Sequence, residues 1–185
     1  IIRMPPRCRA PARSACRPSK TRAVTTIRPA TSADAAAILS IVAPVLRAGE
    51  TYAMPTDLSD GETLGYWLEP RHQVFVAEEN GTVLGTYYLM ANQSGNGAHV
   101  ANCGYMTAAH AQGKGVARAM CAQSLDEARR RGFRAMQFNH VVSTNTRAVA
   151  LWQSMGFAIV GTLPGAFHHP VHGYVDSYVM FQSLV

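Results

Sequence analysis

No stretch of the chain approaches the ~18–20 consecutive apolar residues that span a bilayer. The best early candidate, Ile38 to Leu46, is too short and is interrupted by Ser40 and Pro44. Cysteine is scarce. The four are Cys8, Cys16, Cys103 and Cys121, and none forms a Cys-x-x-Cys pair, which excludes zinc-ribbon and thioredoxin-like sites. Cys103 and Cys121 fall in apolar segments, where a reduced thiol behaves as a small hydrophobe. The pattern predicts a cytoplasmic protein without disulfides. Acidic residues are missing from the first 26 positions, which hold seven of the 17 Lys and Arg residues. The formal charge of +6 therefore belongs to the start of the chain, and the remainder is close to neutral. It gives no reason to expect that the remainder binds nucleic acid.

Residues 1–24 are rich in Pro, Arg, Ala and Ser and show no apolar period. They lack the apolar centre of a secretory signal. An Arg-rich, acid-free composition is shared with mitochondrial targeting segments, but it fits a disordered basic tail better. The domain expected to fold is 25–185.

From Thr25 the pattern becomes regular. Thr25–Arg28 reads as a strand, and Ser32 or Asp34 caps an Ala-rich helix to about Arg47. Ser59 with Glu62 three residues on forms a capping-box signal for a helix to about Leu68. Asn80-Gly81 joins strands Val74–Ala77 and Val83–Met90 in a hairpin. Ala98–Thr107 is a strand, Gly115–Arg131 a helix, Ala135–Val142 a strand and Thr146–Met155 a helix closed by Gly156. Ala158–Leu163 and Tyr174–Gln182 complete the strands. An antiparallel meander followed by a β-α-β crossover implies an α/β fold with a mixed, mostly antiparallel sheet and helices on both faces.

The segment Gln112-Gly113-Lys114-Gly115-Val116-Ala117 lies between a strand and a helix. Two glycines permit a sharp turn and close backbone approach to a ligand. The helix N-terminus adds free N–H groups and a positive dipole end, which together suit a pyrophosphate. Gly115 follows Lys114 where a Walker A loop needs Ser or Thr. Arg118 stands where a dinucleotide fingerprint needs its third glycine.

Gln112-x-x-Gly115-x-Ala117 resembles the CoA-pyrophosphate signature of the GNAT acetyltransferases. A second pattern of that family is matched by Asn145, Ala148, Leu151-Trp152 and Gly156-Phe157. The resemblance implies a GNAT fold with a splayed strand pair and acetyl-CoA as cosubstrate. It implies that the backbone of Tyr105, Met106 and Thr107 pairs with the pantetheine arm. The N–H groups of Gly113, Lys114, Gly115, Val116 and Ala117 would hold the pyrophosphate, and Asn145 would contact the cofactor. Backbone N–H groups near Cys103, Gly104 and Tyr105 are expected to stabilise the oxyanion. The chain departs from the family in one respect. Trp152 occupies the position of a tyrosine general acid, and an indole has no proton of useful acidity. Trp152 belongs instead to an apolar helical stripe with Ala148, Leu151 and Met155.

A narrower resemblance is to the acetyltransferases of azetidine-2-carboxylate and related proline analogues. It rests on Glu50-Thr51-Tyr52, Phe138-Asn139-x-Val141-Val142-x-x-Asn145 and Gly165-Ala166-Phe167-x-His169-Pro170. It implies that Asn102 and Asn139 bind a substrate carboxylate, with Thr51, Tyr52, Phe167 and His169 around the acceptor. Both asparagines lie in otherwise apolar strands, where a buried amide needs partners. A bridge between strands would satisfy them equally. His168, His169 and His172 cluster in a loop after Pro164-Gly165, but the setting does not suit a metal, and none is expected. His140 is expected on the face opposite Asn139.

The resulting expectation is direct acetyl transfer to a small-molecule amine resembling an amino or imino acid, with no nucleic-acid or membrane partner and a homodimer left open. One rival is a GNAT enzyme acting on a protein N-terminus, lysine or drug amine. The other is a non-enzymatic CoA- or nucleic-acid-binding module that uses the basic tail.

Overall fold

A computed structural model describes residues 25–185. The expected tail, with Cys8 and Cys16, lies outside the described residues. Seven strands form one sheet: β1 (Thr26–Pro29), β2 (Gln73–Glu79), β3 (Thr82–Ala91), β4 (Val100–Thr107), β5 (Ala135–Val142), β6 (Ala158–His169) and β7 (Gly173–Ser183). The helices are α1 (Ala35–Ala48), α2 (Asp60–Trp67), α3 (Val116–Arg130) and α4 (Thr146–Ser154). The spatial order is β1-β2-β3-β4-β5-β7-β6, with every pairing antiparallel except β4–β5. This is the mixed α/β sheet expected.

Local signals account for the element ends. Ser59 and Glu62 form the reciprocal capping box that starts α2. Gly49 ends α1 in the left-handed region, at φ +64°, which glycine adopts without strain. Arg28 on β1 ion-pairs with Asp34 at 2.8 Å and with Glu78 on β2 at 2.8 Å, and so ties the entry to α1 onto the sheet edge.

Period-2 alternation assigns the two faces. Thr86 on β3 accepts from Trp67 Nε1 of α2 at 3.0 Å, which places α2 on one face. Tyr87, the next residue, bonds Gln123 of α3 on the other. Fully buried Trp67, Ile38 and Leu46 contribute to the core on the first face, while Tyr87, Leu89, Met120 and Cys121 pack on the second.

β6 is longer than expected. It runs through Pro164 to His169, so His168 and His169 are strand residues and only positions 170–172 form the turn into β7. His169 is buried, and its Nδ1 accepts from Val171 N at 3.1 Å and His172 N at 3.3 Å. It serves the turn, which corrects its expected place beside the acceptor.

Candidate active site

The site begins where the sheet comes apart. β4 and β5 pair only at Val100–Ala135 and Ala101–Met136, and beyond these residues they separate. In the β3–β4 ladder, Asn92 N donates to Val100 O and Ala108 N donates to Leu84 O, both at 2.8 Å. Antiparallel strands alternate residues that bond their neighbour with residues that face away. Asn102, Gly104 and Met106 therefore bond to β3, while Cys103, Tyr105 and Thr107 turn their backbone groups to the open side. The outward N–H groups belong to Cys103 and Tyr105, which corrects the expectation for Gly104. Glycine at 104 has another reason: a Cβ there would lie 2.5 Å from the Tyr88 ring.

The gap opens into a cleft of about 900 Å³. It is lined by Thr51 and Tyr52, by Asn102 through Thr107, by Phe138, Asn139 and Asn145, and by Gln112, Gly113, Gly115, Val116 and Ala117. Lys114, Phe167 and His169 do not line it. Lys114 is exposed on the same turn, and Phe167 is buried in β6 opposite Val175.

At one end, Gly113 and Gly115 adopt φ +74° and +84°, and nothing in the protein lies within 4 Å of a Cβ built on either. The glycines are required by the left-handed turn, and the space above them is open toward a ligand. Gly115 precedes the first residue of α3, so the N–H groups of its first turn have no partner within the helix. Asn145 Oδ1 accepts from Ala148 N at 3.3 Å and caps α4. Arg118 and Arg147 also line the cleft.

At the other end is an amide cluster. Asn102 Nδ2 and Asn139 Nδ2 both donate to Asn92 Oδ1, at 3.0 and 2.7 Å, and Gln137 Nε2 donates to Asn139 Oδ1 at 2.8 Å. Asn102 is half-buried and Asn139 exposed, so the expected burial of the pair is corrected. On the same face of β3 and β4 stands an aromatic group. Tyr66 and Tyr88 line the cleft with their hydroxyls 3.4 Å apart, and His72 stacks on Tyr88 at 3.8 Å. The Tyr52 hydroxyl donates to Tyr105 O at 3.0 Å.

Trp152 is buried against Tyr105 and Phe138, at ring distances of 4.9 and 5.2 Å, as its apolar stripe suggested. It also borders the cleft. Burial pushes the Cys103 thiol up to about 12, so it is neutral and a poor nucleophile at pH 7.

The sequence did not mark Asn92, Tyr66, Tyr88, Arg118, Arg147 or His140 as residues of the site. A bulge between Phe138 and Val141 brings His140 into the site. Its Nδ1 lies 3.1 Å from Ser177 Oγ. Ser177 alternates with Phe181, the partner of Gln137, so His140 shares the face of the amide cluster. The expectation of an opposite face assumed unbroken alternation. Among the described residues, no group of three or more His, Cys, Asp or Glu is arranged to hold a metal.

Residues 39–157 match the family model described as Acetyltransferase (GNAT) family. Two curated proteins are similar. One is the L-methionine sulfoximine/L-methionine sulfone acetyltransferase of Salmonella typhimurium, 34% identical over 75% of this chain and 83% of that protein. The other is the N-acetyltransferase aca1 of Schizosaccharomyces pombe, 32% identical over 53% of this chain but only 47% of its own length. A GCN5-related N-acetyltransferase structure from Kribbella flavida superposes with TM-score 0.82 at 48% identity, covering 86% of this chain and 97% of that one. The Salmonella typhimurium yncA structure, which contains acetyl-CoA, gives TM-score 0.77 at 28% identity over 88% and 95% of the two chains.

Proposed function

The chain belongs to the GNAT family of acetyl-CoA-dependent N-acetyltransferases, and from that premise we propose that it acetylates the amine of a small amino- or imino-acid-like substrate. One observation carries this reading. The charged side chains lining the cleft are Arg118 and Arg147, and the acceptor end presents neutral amides. Such a site suits a substrate carboxylate. A cationic acceptor such as lysine or an aminoglycoside would call for carboxylates. The Salmonella relative is named for acceptors that are amino acids, which supports the same class.

The glycine turn and the start of α3 hold the cosubstrate's pyrophosphate. The outward backbone of Tyr105 and Thr107 receives its pantetheine arm as an added strand. The N–H group of Cys103 then faces the oxygen of the tetrahedral intermediate. Asn102 and Asn139 exchange their bonds to Asn92 for bonds to the substrate carboxylate, without the cost of burying a lysine or arginine charge.

The test measures kcat/KM for L-methionine sulfone, azetidine-2-carboxylate, their methyl esters and a lysine peptide. Wild type prefers the free acids. Asn102→Ala and Asn139→Ala lose that preference, by about 1.5–3 kcal/mol for one hydrogen bond to a charged group. Their affinity for acetyl-CoA stays unchanged. Equal use of acids and esters, or preference for the peptide, would reject the acceptor class.

A further inference from the structure

An acceptor amine is protonated near neutral pH, so its attack on a thioester needs a group that removes a proton. The titratable side chains of the cleft narrow the choice. A guanidinium has no acceptor nitrogen, which sets aside Arg118 and Arg147. Burial raises the phenols of Tyr52, Tyr66, Tyr88 and Tyr105 and the thiol of Cys103, so they hold their own protons. The other side chain on the lining that can exchange a proton is His140, and a neutral imidazole offers one ring nitrogen as an acceptor.

We propose that His140 is the general base that accepts the proton of the attacking amine, and that Ser177 positions it. Three features of the fold converge. The bulge at 138/141 brings His140 onto the face of Asn139 and into the cleft. Ser177 is fully buried on β7, with its Oγ 3.1 Å from His140 Nδ1; in the proposed base, Nδ1–H donates to that hydroxyl and Nε2 is the nitrogen that accepts the proton. Phe167 packs beside the imidazole at 6.0 Å and limits its movement. Bulges re-aim side chains beside active sites, and here the residue re-aimed is a histidine.

The step balances as follows. The ammonium gives one proton to Nε2, forming imidazolium. The free amine attacks the carbonyl carbon, the C–N bond forms and the C–S bond breaks. The departing thiolate and the second nitrogen proton combine, directly or through water, and the imidazolium releases its proton to solvent. The proposal rests on acetyl transfer and is independent of the carboxylate assignment.

Elements packed around His140 carry other ionisable groups: His169 on β6, Asp176 and Tyr178 on β7, and Arg147 on α4. Asp176 Oδ1 accepts from Gly165 N at 2.9 Å, and His169 Nδ1 holds the turn. These two are engaged elsewhere.

The experiment records kcat/KM against pH for wild type and His140→Gln, using L-methionine sulfone and its methyl ester. His140→Gln should lose about 10²-fold or more at neutral pH, the usual scale of general-base catalysis. The deficit should shrink as pH rises toward the amine's own pKa, because free amine needs no base. Added imidazole should restore part of the activity of His140→Ala, and Ser177→Ala should lower kcat with little change in KM. Acetyl-CoA affinity, by calorimetry, should be unchanged in all. Near-wild-type activity of His140→Gln would overturn the proposal. So would a loss that is equal at every pH and unresponsive to imidazole, because a packing defect behaves that way. Preference for acid over ester reports on the acceptor class alone, so the two readings fail separately.

Discussion

Asn139 donates its side-chain amide to Asn92 Oδ1 at 2.7 Å, joining the far side of the β4–β5 gap to the end of β3. Asn102 shares the same oxygen at 3.0 Å. One carbonyl oxygen thus occupies the two donors assigned to the substrate carboxylate. Asn92→Asp would place a resident carboxylate on those donors. KM for L-methionine sulfone should rise at least tenfold, since like charges also repel, while KM for the methyl ester changes less. Steady-state kinetics with both acceptors checks this.

Gly115→Glu should abolish acetyl-CoA binding and leave the fold largely intact. A side chain there is strained at φ +84°, and its negative charge would sit at the N-terminus of α3, the site proposed for the pyrophosphate. Calorimetry with acetyl-CoA, alongside a circular dichroism spectrum, separates loss of the site from loss of the protein.

Trp152→Phe should lower Tm and retain most of kcat. The indole contributes packing against Tyr105 and Phe138, and the smaller ring leaves a void that costs stability. A large fall in kcat with unchanged Tm would give the indole a chemical role.

Cys103 should be dispensable for transfer. Its thiol is raised from the ordinary value of 9.0 to about 12. A group whose folded pKa lies above its unfolded value stabilises fully below the unfolded pKa. That stability is lost as pH rises through the folded pKa. Stability should therefore decline above about pH 9, and Cys103→Ala should flatten that decline while keeping kcat. Urea titrations between neutral and alkaline pH measure the slope.

The fold was largely legible because its signals are local. Asn80-Gly81, the Ser59–Glu62 box and the glycine turn at 113–115 each act within a few residues. The glycine turn proposed to hold the cosubstrate was legible for the same reason. The acceptor end was not, because it depends on register. Asn92 meets Asn139 only through the pairing of β3, β4 and β5, and they stand 47 residues apart. His140 was misplaced because a bulge shifts the alternation, and nothing in Phe138-Asn139-His140-Val141 marks the extra residue. The reach of β6 to His169 was hidden by Pro164 and Gly165, which read as a loop. An edge strand tolerates both, since β6 pairs on one side only.

The separation of β4 from β5 also has a thermodynamic side. A sheet that stops pairing at Ala101 and Met136 leaves main-chain groups on its inner edges without the bonds a continuous ladder would supply. The folded protein thus gives up stability in the middle of its own sheet, and a ligand that adds a strand there supplies it. Binding to the native state alone raises stability by about 2.7 kcal/mol at a hundredfold excess over Kd. Amide protons of Tyr105 and Thr107 should then exchange rapidly in the free protein and slowly once the pantetheine arm lies beside them, while those of Gly104 and Met106, already bonded to β3, stay slow throughout.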